Sequence, residues 1–307
     1  MKLVRPVPVD PAGLRGPTKS MAAGPFWRRT SPGLYVPASV SADVVEQRIL
    51  ESASRLNGPG AVTGWAALRL HGVSFCDGRG CPVDLVVPPG VRLAHADGTV
   101  VHRERWDPDE VMLVRGMPVT SPARAAFDEA RRAPDVRSAV TVLDLALTAR
   151  VVSRSTLSSY LAERAGWSGI RRVTRALALA DDRCLSPMES RLRMIWLLDA
   201  DLPAPKCNWP VADAGGRFIG RPDLLSEELA VVGEFDGAEH RSRARHRDDL
   251  RRDDAFRAVG LEPFRVVGAD LADKRLVLRR IQAAIDRAAE SSIPRTWRVK
   301  NRPAPAT

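Results

Sequence analysis

The stretch that most constrains this chain is LAVVGEFDG, residues 229–237. An apolar run this short, closed by an Asp-Gly turn pair, fits a strand covered on both faces. Glu234 and Asp236 interrupt it two residues apart, so both project from the same sheet face. A buried acid is costly unless a metal ion or an arginine compensates it. Taken alone, Asp236-Gly237 marks only a turn.

The neighbouring segments set this strand in a sheet. SPMESRLRMIWLLDA (186–200) predicts a helix with Met188, Leu192, Ile195 and Asp199 on one side. Strand-like runs follow in KCNWPVAD, RFIGRPDLL and LAVVGEFDG. Then come a charged helix closed by Gly260, the strand EPFRVV and a last helix, DKRLVLRRIQAAIDRAAES. An α-β-β-β-α-β-α order predicts a mixed sheet flanked by helices over 185–291. The boundary falls in ALADDRCLSP (178–187), and 292–307 reads as a basic flexible tail.

Upstream, residues 1–25 are rich in Pro and Gly and predict a flexible segment, followed by a mostly helical domain over 26–181. WRRTSPGLYVPA (27–38) predicts a strand pair around Ser-Pro-Gly. SADVVEQRILESASRL (41–56) predicts a helix capped by Ser41, GPGAVTGWAALRLHGV (58–73) another, and VDLVVPPG (83–90) a buried strand. In PVTSPARAAFDEARR, Ser121 and Pro122 form a cap and first-turn pair, and alanine-rich helices continue to about residue 181. The fold class expected is therefore α+β or α/β.

With 307 residues, 44% of them hydrophobic, the chain can bury two cores. Its net charge of +10 points to a polyanionic partner, DNA first. No run is long and apolar enough for a membrane helix or a signal peptide, so a cytoplasmic location is expected. Four cysteines agree with it: Cys76 and Cys81 are spaced C-x4-C, and Cys184 and Cys207 stand alone as free thiols.

A phosphodiester nuclease needs a divalent metal, and Mg2+ takes hard oxygen ligands, often one or two carboxylates. Asp223, Glu234 and Asp236 offer them. The tightest hairpin through Ser226–Glu228 would set Asp223 opposite Val231, so convergence with Glu234 calls for a bulge. Ser186-Pro187-Met188-Glu189 is a capping box; its glutamate either caps the helix or leans over the sheet as a further acid. His240, titrating near neutrality, is a candidate general base. In RSRARHRDDLRR (241–252), Arg241, Arg243, Arg245 and Arg247 alternate and would share one side of an extended loop, suited to phosphate oxygens.

SPMESRLR, RPDLL, VVGEFDGAEH and RDDLRRDDAFRAVGLEPFRVV together resemble an actinobacterial family related to the very-short-patch-repair endonuclease and, more broadly, to PD-(D/E)xK restriction-endonuclease-like folds. The matching positions are Glu189-Ser190, Asp223, Glu234-Asp236-Gly237-His240, Asp249-Arg252-Asp253, Gly260 and Arg265. The resemblance implies a restriction-endonuclease-like domain. Asp223 and Glu234 would bind Mg2+, Glu189, Asp236 and His240 would assist catalysis, and DNA would be the substrate. This sequence departs from the superfamily pattern where x-Lys should follow the second acid, since Glu234 is followed by Phe235-Asp236. WRRTSPGLYVPA, GAVTGWAALRLHG and MPVTSPARAAFD resemble the antitoxin-like region of AbiEi-type proteins. That likeness implies a toxin or defence-system partner and, as an alternative function, a catalytically silent DNA-binding regulator.

Overall fold

The computed structural model describes residues 3–75, 78, 80–237 and 243–300, with 243–250 described for the backbone only. The chain is α+β and divides into two compact units, 1–179 and 180–307.

In the first unit, β1 (Val7–Pro8), β2 (Trp27–Ser31) and β3 (Leu34–Pro37) form an antiparallel sheet in the order β1-β3-β2. Val7 thus pairs with Tyr35 inside the segment expected to be flexible. The Gln47 side chain also accepts from the Val4 amide at 2.9 Å. A mixed sheet, ordered β6-β5-β4-β8-β7, combines β4 (Ala61–Val62), β5 (Val83–Val87), β6 (Thr99–Arg103), β7 (Val111–Val114) and β8 (Met117–Thr120). The helices are α1 (Lys19–Ala22), α2 (Val45–Ala53), α3 (Gly64–Leu70), α4 (Pro122–Arg132), α5 (Val136–Thr148), α6 (Arg154–Ala162) and α7 (Ile170–Leu179).

Two upstream expectations change. The helix expected over 41–56 starts only at Val45, and Ser41 accepts from the Asp43 amide in a turn of its own. The helix expected over 58–73 opens instead as strand β4, because Ala61 and Val62 pair with β5 and β8 before Gly64, at φ +61°, turns the chain into α3. Ser121 caps α4 ahead of Pro122 as expected, accepting from the Arg124 amide at 3.4 Å.

The second unit starts with α8 (Pro187–Leu198). Two of the expected strands are each cut in two. KCNWPVAD becomes β9 (Lys206–Cys207) and β10 (Val211–Ala212), while RFIGRPDLL becomes β11 (Phe218–Gly220) and β12 (Leu224–Ser226). Pro210 and Pro222, which cannot donate to a ladder, lie at the two breaks. After β13 (Val231–Asp236), α9 (Arg243–Ala258), β14 (Glu262–Val267) and α10 (Lys274–Glu290), β15 (Arg298–Val299) pairs with β10 in the segment expected to be a tail. Two sheets result, β14-β13-β12-β9 and β11-β10-β15.

The four-stranded sheet is mixed: β13 runs antiparallel to β12 and parallel to β14. As the apolar run predicts, β13 is covered on both faces. Val231, with Leu224, Phe264 and Val266, packs against Leu192, Ile195 and Trp196 of α8 and Val277 and Ile281 of α10. Val232, with Leu225, packs against Phe256 of α9 and Val259. At Gly233 an added Cβ would lie 2.5 Å from the Phe264 ring, so only glycine lets that ring cross the strand.

Candidate functional site

The hairpin register is the first surprise. Leu224 faces Gly233 and Ser226 faces Val231, with the turn occupying residues 227–230 rather than the tighter loop expected. Ala230, at φ +54°, lets this longer turn close. Continuing the ladder by one residue sets Asp223 opposite Glu234 with no bulge. The same row extends both ways: Glu234 pairs with Arg265 on β14, and Cys207 pairs with Leu224, so Asn208 follows opposite Asp223. The Asn208 amide donates to the Asp223 carbonyl at 3.2 Å. Asn208, Asp223, Glu234 and Arg265 therefore form one row across all four strands.

Glu189 joins the row from the start of α8. Ser186 caps that helix by accepting from the Glu189 amide at 3.2 Å. The Glu189 carboxylate accepts from the Leu185 amide at 2.8 Å, one residue beyond the Ser186 amide of a reciprocal capping box, and from Asn208 Nδ2 at 2.7 Å. Both alternatives for this glutamate are thus partly realised. It closes the helix start, and its charge acts on Asp223.

Glu234, only 6% exposed, lies 2.9 Å from Arg265 Nη2 and 3.6 Å from Arg252 Nη1. Arg265 also binds Asp253 through two nitrogens, at 2.8 and 3.2 Å. Of the two compensations the sequence allowed for a buried Glu234, the arginine is the one observed. Asp223 is treated differently. Burial pushes its carboxyl up to about 7, the nearby Glu189 charge adds to this, and the Phe235 amide, donating to Oδ2 at 2.7 Å, opposes it. Glu234 raises it further and Arg265 lowers it. Asp236 ends β13 half-buried, in register with Val267.

His240 and Arg241 lie outside the described residues. Arg243, Arg245 and Arg247 lie on α9, which starts at Arg243, and not in an extended loop. On a helix, residues two apart are separated by about 200°, so alternation no longer aligns them. Among the described residues, the acids of the row do not form a set of three ligand atoms mutually within 4.8 Å; Asp181, Cys184 and Cys207 do. The sequence treated these two cysteines as solitary, and Asn208 gave no signal at all.

The first unit holds a second charged cluster, centred on Asp128 of α4. This acid is fully buried and accepts from Thr63 Oγ1 and Arg124 Nε at 2.8 Å and from Arg131 Nε at 2.9 Å. Burial alone would raise its carboxyl, but Arg132, Arg124 and Arg131 together hold it below the ordinary value. Glu110 joins through Arg124 at 2.7 Å and Tyr160 at 2.6 Å, and Glu104 bridges Arg131 and Arg132. The guanidinium of Arg124 also lies 4.9 Å from the centre of the Trp167 ring. No helix among the described residues is long and apolar enough to cross a membrane.

No solved structure matches the chain. Uncharacterized proteins of Mycobacterium tuberculosis, one from strain CDC 1551 / Oshkosh and one from strain ATCC 25618 / H37Rv, are each 31% identical over 154 residues. The match covers 50% of this chain and 55% of each relative, so the chain spans about half the length of the curated relatives it matches. Residues 61–179, which contain the Asp128 cluster, match the family model of the AbiEi antitoxin C-terminal domain.

Proposed function

We propose that this chain is an antitoxin-like, DNA-binding regulator of a toxin–antitoxin or phage-defence system, and that its C-terminal unit keeps a nuclease-like row of acids without cutting. One observation carries the silent half of this reading: Arg265 and Arg252 supply the positive charge beside Glu234. Mg2+ would need oxygen donors free to face it and room for its waters. Here Glu234 is matched by guanidinium groups and Glu189 by the Leu185 amide and Asn208. That arrangement does not fit the ion, and the row lacks the lysine of the nuclease pattern.

The antitoxin part, with a toxin as partner, is supported by the likeness of 61–179 to the AbiEi antitoxin C-terminal domain. DNA as the ligand is supported by the net charge of +10, since Lys and Arg bind phosphates by releasing counterions. Fluorescence anisotropy of the full chain with duplex DNA over a salt series tests the DNA part. The expected result is binding that weakens steeply with salt and no cleavage on adding Mg2+ or Mn2+. No binding at low salt would remove the DNA part.

A rival, metal-dependent cleavage, is favoured by the placement of Asp223 opposite Glu234. Nicking that requires Mg2+ and disappears in Asp223→Ala would establish it and end the silent reading.

A further inference from the structure

Outside the acid row, Asp181, Cys184 and Cys207 bring three ligand atoms within 4.8 Å of one another. Both cysteines are free thiols with no exposed surface, whereas Asp181 is half-buried and opens the group toward solvent. The spacing Asp181-x2-Cys184, followed by a distant third ligand, is of the kind that lets a short loop wrap a tetrahedral ion.

We propose that Asp181, Cys184 and Cys207 form a binding site for a thiophilic divalent cation, Zn2+ above all, with water in the fourth position. The donor chemistry selects the ion. Thiolates suit Zn2+ and exclude Mg2+ and Ca2+, while a carboxylate oxygen completes many zinc sites. The geometry is close to what the ion requires. Zn–S bonds of about 2.3 Å in a tetrahedron set sulfur atoms about 3.8 Å apart, and the three ligand atoms here all lie within 4.8 Å of one another. On binding, each thiol gives its proton to solvent and each sulfur donates a lone pair; no electron transfer is involved.

Charge balance supports the assignment. Two thiolates and one carboxylate around Zn2+ leave a single negative charge. In the ion-free chain the hydrogen bond with Cys184 and burial hold the Cys207 thiol above its ordinary value, and Arg193 of α8, only 3% exposed, acts in the opposite sense by favouring the thiolate. The Asp181 carboxylate accepts from the Arg183 amide at 2.8 Å, a turn that holds it next to Cys184 in the chain. The site also has a mechanical consequence. Asp181 and Cys184 lie just before α8, and Cys207 ends β9. Asn208, the next residue, donates to the Arg183 carbonyl between the first two ligands and to Glu189. A bound ion would clamp the start of α8 to β9 and hold Asn208 at the end of the acid row. The proposal does not depend on whether that row cuts DNA.

The test uses the full-length chain, reduced, stripped of metal and titrated with Co2+ and with Zn2+. The expected result is one ion per chain, a thiolate-to-cobalt charge-transfer band that Zn2+ abolishes, and a melting temperature raised by Zn2+ but not by Mg2+. Cys184→Ala and Cys207→Ala should each lose the band and most of the affinity. Asp181→Asn should keep the band with weaker binding, and Asp223→Ala should bind as the unaltered chain does. The wild-type cobalt spectrum needs no variant, so misfolding of a cysteine variant leaves the test intact. Absence of the band, or a Zn2+-induced stabilisation that survives in the Cys184→Ala/Cys207→Ala double variant, would overturn the proposal.

Discussion

Asp128 is fully buried and Asp223 half-buried in a protein rich in arginine, and their carboxyl groups move in opposite directions. Asp128 meets three guanidinium groups and a threonine hydroxyl, and its carboxyl stays below the ordinary value despite complete burial. Asp223 meets one backbone amide and two like charges, and rises to about 7. The cation that lowers it, Arg265, is already engaged with Glu234 and Asp253. Burial raises both carboxyls; three cations facing Asp128 outweigh it, and the single cation acting on Asp223 does not. The first unit uses its arginines to close a charge cluster. The second leaves one acid under-compensated, its carboxyl raised to about 7.

The comparison breaks most visibly where compensation is complete. Asp128→Ala would leave Arg124 and Arg131, both nearly buried, without their shared partner. Removing one member of such a buried set typically costs about 3–5 kcal/mol. Urea denaturation should show that loss, and a cost under about 1 kcal/mol would mean the cluster is no better compensated than an exposed pair. Arg265→Met comes next, at about 3 kcal/mol, because Glu234 and Asp253 lose a common cation while Arg252 still faces Glu234. It should also push the Asp223 carboxyl higher, since Arg265 now lowers it. Titration of the Asp223 carboxyl by NMR would report the change.

The sequence showed the parts of this picture unevenly. The two-faced burial of β13 was visible because Val231 and Val232 are both apolar, and the caps at Ser121 and Ser186 because each is followed by proline. The register was not visible. It depends on a turn through residues 227–230 with Ala230 at positive φ, a conformation no residue there advertises. Without the register, Asp223 could not be set against Glu234, nor Glu234 against Arg265. The convergence of Cys184 with Cys207 was hidden for a related reason: the segment before α8 lies against the end of β9, joined by the Asn208 side chain donating to the Arg183 carbonyl, a tertiary contact that leaves no trace in spacing. In the first unit, Asp128 looked like one more polar residue on an alanine-rich helix, because its partner Thr63, and the Glu104 that shares its arginines, come from distant loops.

A pH series sharpens the contrast. The Asp223 carboxyl rises from an ordinary 3.8 to about 7 in the folded chain. Between those values the native chain holds a proton that the unfolded chain has released, so stability falls as pH rises through the window and levels off above it. Asp223→Asn removes the ionisable group and keeps an oxygen to accept from the Phe235 amide. It should match the wild type near pH 4 and exceed it near pH 8 by about 2 kcal/mol, roughly half of the full linkage value because the residue is only half-buried. Asp128 predicts the opposite trend, with stability lost only as pH falls below the ordinary carboxylate range. Chemical denaturation at both pH values measures the difference, and identical slopes for wild type and Asp223→Asn would erase the distinction between the two acids.

The smallest effect separates local from electrostatic contributions. Ser121 and Ser186 cap the two helices that carry Asp128 and Glu189, and each accepts from the amide three residues on. Replacing either by alanine should cost about 1 kcal/mol, with little difference between the units, because the cap is a local bond in both. Their consequences for the acids should still differ. Asp128 is seven positions beyond its cap and fixed by three arginines, so Ser121→Ala should leave its ionisation unchanged. Glu189 is the residue whose amide the Ser186 hydroxyl receives, and its charge raises Asp223. Freed at the helix start, Glu189 would spend more time away from the row, and the Asp223 carboxyl should move down toward the ordinary value. NMR titration of Asp223 in Ser186→Ala measures that shift. No movement would assign the anchoring of Glu189 to the Leu185 amide and Asn208 alone.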